Sequence, residues 1–178
     1  VTGRLLRELD RRGVLENTIV VITSDHGEQF GEHGLTLHGN SLYRQAIHVP
    51  LLVRYPAAAP SGIRVTTPVT IRDVPATVLA LAGIPPAATG IEGHALANLW
   101  SNSGQPTSDV VSEVSRHYRK APGIRNLNGP MQSLVTDSLH VIRDGNDNLE
   151  VYNGVADAAE TRDLAADRIL SATMASRL

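Results

Sequence analysis

Thr18-Ile-Val-Val-Ile-Thr23 is an unbroken run of β-branched side chains, and it limits the choice of fold more than any other stretch of the chain. Such residues lose rotamer freedom in a helix and pack well on a pleated sheet. A strand without polar–apolar alternation is expected to be covered on both faces, as in a parallel sheet flanked by helices. Ser24-Asp-His-Gly27 follows directly. Open parallel sheets bind ligands at the carboxyl ends of their strands. A carboxylate and an imidazole side by side there can reach one divalent cation, and the glycine lets backbone or substrate come close. Taken alone, the Asp25–His26 pair also suits a turn or a helix cap.

The flanking patterns favour an α/β layer design. Upstream, Leu5, Leu6 and Leu9 form an apolar stripe on a helix over Arg4–Arg12, with Glu8 and Arg12 spaced to pair and Gly13 as its stop. Glu16-Asn17 reads as a turn. A second strand is expected at Pro50–Arg54. The connection Ser24–Val49 is far longer than the roughly 2–6 residues usual between a strand and a helix, so it is expected to be functional or to hold a short helix. An extended stretch, Arg64–Ile71, leads to a helix over Asp73–Ala82, with Asp73 as N-cap, Pro75 in the permissive first turn and Gly83 at its end. After Trp100 the composition shifts. Ser101–Ser108 reads as a linker or surface loop, and short strands are expected at Asp109–Val114, Gln132–Thr136, Leu139–Arg143 and Leu149–Tyr152. Asp144-Gly-Asn-Asp147 would close a hairpin, and a helix over Ala165–Arg177 would end the chain. The division expected is therefore an α/β portion, residues 1–100, and a small antiparallel-sheet portion with a terminal helix, residues 101–178.

Composition excludes several functions. Of 178 residues, 3% are aromatic and the formal net charge is −2 with no basic block, which argues against a stacking platform or a phosphate-backbone surface for nucleic acid. The absence of cysteine removes disulfides, thiolate zinc sites and a thiol nucleophile. The longest apolar stretch, Val74–Ile84, is shorter than the roughly 20 residues a membrane span needs. The chain opens on Val1 inside a helix-like pattern, so it is expected to be a piece of a longer protein whose compartment it does not reveal.

The order of motifs after the strand is more specific than the Asp-His pair. Ser24-Asp-His-Gly27, Gly31-Glu-His-Gly34, His38-Gly-Asn-Ser-Leu-Tyr43 and His48-Val-Pro50 follow in close succession. Together with Thr67-Pro-Val-Thr-Ile-Arg-Asp73, Pro75-Ala-Thr77, Met131–Asp137, Leu149–Tyr152 and Glu160–Leu164, this order resembles the sulfatases of the alkaline phosphatase superfamily over nearly the whole chain. The resemblance implies the C-terminal half of their three-layer α/β fold, with a small antiparallel sheet plus helix at the end.

It also implies roles. Asp25 and His26 match ligands of the active-site divalent cation, and His38 matches a Lys or His that contacts the sulfate or the leaving oxygen. Hard oxygen ligands favour calcium or magnesium, and an imidazole admits manganese or zinc. The family's nucleophile, a formylglycine made in a Cys/Ser-x-Pro-x-Arg motif, has no counterpart here, so it is expected upstream of this chain. The implied activity of the full-length protein is hydrolysis of a small-molecule or carbohydrate sulfate ester, and the chain alone would be inactive. In that reaction His38 would stabilise or protonate the leaving oxygen. Two other readings stay open: a phosphodiesterase, phosphonate hydrolase or phosphoethanolamine-type transferase of the same superfamily, and a non-catalytic remnant that binds anions or a partner. A homodimer is expected, because half a sheet leaves a strand edge bare.

Other candidates have plainer readings. His33 suits a hydrogen bond that orders its loop, and His48 a structural place at a strand entry. His94, His117 and His140 suit the solvent side or the tail sheet. Glu113 suits an ion pair with Arg116 or Arg119. Asn40 suits either substrate contact or a cap. Arg44-Gln45 stands where the family often has acidic residues.

Overall fold

The computed structural model describes residues 2–85, 88–100, 109–118 and 124–178. The elements in chain order are α1 (Thr2–Arg11), β1 (Val20–Thr23), β2 (Gln29–Phe30), β3 (Thr36–Leu37), α2 (Arg44–Ile47), β4 (Leu51–Arg54), α3 (Asp73–Leu81), β5 (Val110–Val114), β6 (Met131–Val135), β7 (Leu139–Arg143), β8 (Leu149–Asn153) and α4 (Arg168–Ala175). They form two compact units, one of residues 1–23 and 50–107, the other of residues 24–49 and 108–178. The expected division at residue 100 draws the line elsewhere, because it leaves 24–49 with the N-terminal portion. The expected linker Ser101–Ser108 lies outside the described residues.

In the first unit β1 pairs with β4, Val20 facing Arg54 and Thr23 facing Leu51. The pair is antiparallel, which corrects the parallel arrangement expected from the run of β-branched residues. Such a run reports the covering of both faces and says nothing of the neighbour's direction; the connection 24–49 fixes that by bringing the chain back to pair Leu51 with Thr23. The covering is itself partial, since Val20, Val21 and Ile22 are half-buried. No strand forms over residues 64–71. Glu8 accepts from both Arg11 and Arg12, so the expected i,i+4 pair on α1 forms with a second partner. On α3, Ala76, Thr77 and Leu81 are buried, and Gly83 leaves the helix at φ 76°. Asp73 is not the cap. It lies inside the helix, and its Oδ1 accepts the His94 amide at 2.8 Å, while Thr77 Oγ1 accepts the Leu96 amide at 2.9 Å. The acid is thus spent on tying residues 94–96 to α3.

In the second unit β5, β6, β7 and β8 form an antiparallel meander in that order. The turn at 144–147 joins β7 to β8 as expected, with Asp144 accepting the amides of Asn146 and Asn148. One apolar cluster holds Leu134, Val141, Val151 and Met174, so it seats α4 on the sheet. A second holds Leu35, Leu42, Tyr43, Met131, Ile142 and Tyr152, and it anchors residues 35–43 to the same sheet. Among the described residues no helix is long and apolar enough to cross a membrane.

Candidate active site

Asp25 and His26 leave β1 two and three residues after its last residue, Thr23. The Asp25 carboxylate accepts the His26 amide at 3.1 Å, and its Oδ2 lies 3.7 Å from His26 Nε2. Its own backbone N–H and the nearby His26 hold it below the usual aspartate range, so it is an anion at neutral pH. The His26 ring places Nδ1 2.8 Å from the Gly27 carbonyl oxygen. A carbonyl only accepts, so Nδ1 carries a proton and Nε2 is the ring nitrogen turned toward Asp25. An anionic carboxylate and an imidazole nitrogen therefore lie side by side, a pair of donor types that fits a divalent cation.

Gly27 explains why the turn holds this shape. Its amide donates to the Ala46 carbonyl at 2.8 Å, and a Cβ at this position would collide with the Gln45 carbonyl. The glycine is thus needed for the close approach of residue 27 to α2. From there β2 and β3 form a short hairpin, Gln29 facing Leu37 and Phe30 facing Thr36. Gln29 is buried and accepts a hydrogen bond from Ser41. The hairpin returns His38 to the turn at 25–27, where its ring stacks on that of His26 at 3.9 Å between centroids. His38 Nδ1 lies 3.0 Å from Glu28 Oε2. Ligand atoms of His26, Glu28 and His38 lie within 4.8 Å of one another. The structure thus brings His26 and His38 together, adds Glu28, and leaves Asp25 outside that group, beside His26. Composition gave no signal for Glu28; its pairing with His38 appears only once the turn at 31–34 sets the hairpin register.

The same unit places the remaining candidates. His33 stacks on Tyr43 at 3.6 Å and 5°, with a left-handed φ of 55°. Asn40 neither caps α2 nor faces outward: it is buried and donates from Nδ2 to the Thr36 carbonyl. Glu113 is bonded by Gln132 rather than by Arg116, whose Nε donates to the Leu127 carbonyl; Arg119 lies outside the described residues. His140 is buried on β7 against Glu160, whose other oxygen accepts the Arg44 amide. Arg44 also donates to the Gly154 carbonyl, so a position that is often acidic in the family here stitches α2 to the sheet unit. Burial pushes the His48 imidazole below its ordinary value, with Arg44 adding to the effect.

Comparison with known proteins gives the family. Residues 1–84 match the sulfatase family profile. An ulvan-active sulfatase of Formosa agariphila is 31% identical over 164 residues, 91% of this chain and 31% of its own length. An N-acetylglucosamine-6-O-sulfatase of Bacteroides thetaiotaomicron is 34% identical over 120 residues, 67% of this chain and 21% of its own length. A solved structure described as a complex with its substrate D-glucosamine-2-N,6-O-disulfate superimposes at a TM-score of 0.74 and 28% identity, covering 97% of this chain and 35% of that one. The chain belongs to the sulfatase family and has its α/β fold. It spans about a third or less of the length of these relatives. The family implies a divalent cation in the site.

Proposed function

We propose that the full-length protein is a metal-dependent sulfuric ester hydrolase acting on a carbohydrate sulfate ester. Asp25 and His26 are two of its metal ligands, and His38 stands at the leaving oxygen. One observation carries this reading: the His26 ring has the anionic Asp25 carboxylate 3.7 Å from its Nε2 and the His38 ring stacked on it at 3.9 Å. Calcium, a hard cation with oxygen ligands in flexible geometry, is the ion this reading assigns. When bound, it neutralises charge on the ester's oxygens. The nucleophile is a formylglycine from a part of the protein outside this chain, which has neither a cysteine nor a Ser-x-Pro-x-Arg sequence to supply one. Within the chain, Asp25 and His26 hold the cation's place, and His38 donates from Nε2 to the oxygen released with the sugar. The sugar assignment rests on the substrates of the similar enzymes.

The test is turnover by the full-length protein of 4-nitrophenyl sulfate and of a sugar 6-sulfate, with and without chelator, and with His38→Ala. Sulfate release that needs the cation and, on the sugar 6-sulfate, falls about 10²- to 10⁴-fold in the variant supports the reading, in line with the usual worth of general acid–base groups. Preferential turnover of a phosphonate monoester would replace it with the phosphonate hydrolase reading. The 178-residue chain by itself is expected to be inactive, and measurable turnover by it would overturn the placement of the nucleophile.

A further inference from the structure

Glu28 has no part in the reading above, yet it is the side chain that fixes His38. Its Oε2 lies 3.0 Å from His38 Nδ1. It is held on both sides: Gly27 is anchored to the Ala46 carbonyl, and Gln29 is buried and bonded by Ser41. The register that pairs Gln29 with Leu37 puts residue 28 opposite residue 38, one step beyond the hairpin ladder. His38 needs such a partner, because half of its side chain is exposed and an imidazole there can turn about two bonds. A carboxylate only accepts, so it claims the Nδ1 proton and leaves Nε2 as the ring atom that can meet a substrate.

We propose, building on the sulfatase reading, that Glu28 is a positioning residue for His38, holding the ring so that Nε2 faces the leaving oxygen. As the nucleophile's oxygen bonds to sulfur, the bond from sulfur to the leaving oxygen breaks and its electron pair stays on that oxygen, which takes the proton carried on Nε2; the Nδ1 proton stays shared with Glu28. Proton donation matters most when the leaving group is a poor one. A sugar alkoxide therefore depends on this arrangement far more than a nitrophenolate does.

The experiment uses the full-length protein with 4-nitrophenyl sulfate and a sugar 6-sulfate. Glu28→Ala is expected to lower kcat on the sugar sulfate 10- to 100-fold, the usual loss when a group supporting a site residue is removed, with KM within about two-fold. The nitrophenyl ester should lose far less. Glu28→Gln keeps an acceptor oxygen and should recover most of the loss. Glu28→Ala combined with His38→Ala should be no slower than His38→Ala alone, since groups acting as a unit are not additive. Should Glu28→Ala fail to fold, Glu28→Asp, one methylene short of His38, is expected to show the same leaving-group dependence. Equal losses on both esters, additive losses in the double variant, or loss of bound cation on elemental analysis of Glu28→Ala would overturn the proposal; the last would make Glu28 a ligand. If His38→Ala itself shows no preference between the esters, the sulfatase role of His38 falls, and the role of Glu28 with it. A preference in His38→Ala that is missing in Glu28→Ala removes only the present inference.

Discussion

Glu150 collects three donors: Tyr43 at 2.8 Å, Tyr152 at 2.6 Å and the Arg125 guanidinium. Burial by itself would raise its carboxyl, but the two phenols and the Arg125 charge outweigh that and hold it below its ordinary value of 4.5. The converse holds for Tyr43, whose phenol burial and the Glu150 charge push up to about 12. A carboxyl depressed in the folded state contributes stability that is full above its unfolded value and is lost as pH falls through the folded one. Glu150→Ala is therefore expected to cost about 3 kcal/mol at neutral pH, the low end for breaking a buried pair because Arg125 is partly exposed. For a chain of this size that is a melting point lower by roughly 6–12 °C. The difference from wild type should shrink below about pH 4.5, and a constant difference down to pH 3 by circular dichroism would refute the charge argument. Next to His26, Asp25 is an anion at neutral pH. Asp25→Asn, which keeps size and removes charge, should weaken calcium binding by the full-length protein at least ten-fold by calorimetry. Unchanged affinity would remove Asp25 from the ligand set.

The hairpin of β2 and β3 depends on one missing side chain. A methyl at residue 27 would meet the Gln45 carbonyl, and neither backbone can yield without breaking the bond from the Gly27 amide to Ala46. Gly27→Ala should destabilise the protein by about 1–3 kcal/mol, the usual cost of overpacking, and a thermal melt within a degree of wild type would show that the turn can yield. On α4, Asp167 accepts the amides of Ile169 and Leu170 at 3.0 Å each, so Asp167→Ala should cost about 1 kcal/mol of stability in denaturant unfolding. These local facts also explain what the sequence could reveal. The helix over 73–81, the meander with its turn at 144–147 and the terminal helix follow from apolar spacing, proline and glycine placement and turn residues, which act over a few positions. Asp25, His26 and His38 came from the order of motifs. What stayed hidden depends on contacts between distant residues: the antiparallel pairing of β1 with β4, the use of Asp73 to hold residue 94, the buried pair of His140 and Glu160, and the Glu28–His38 bond. Periodicity reports which faces are covered, and it says nothing of which partner covers them.

The β1–β4 pair is where the isolated chain is weakest. Two strands alone are marginally stable in water, and each of these is four residues long. Leu52, facing Ile22 across the pair, is 57% exposed. Pro50 and Arg54 guard the two ends of β4 against further pairing, yet Leu51, Leu52 and Val53 between them carry no charge. Burying such a face recovers roughly 25 cal/mol for each Å² of apolar surface, which favours association whenever no other part of the protein covers it. The 178-residue chain prepared by itself is therefore expected to run as a dimer, at twice its 19.0 kDa mass. Leu52→Lys places a charge in the middle of that face and should shift it toward monomer without disturbing the meander of the other unit. Light scattering coupled to size exclusion reads both states. A wild-type chain at 19.0 kDa across the micromolar range would show that the β1–β4 face is stable in water as it stands.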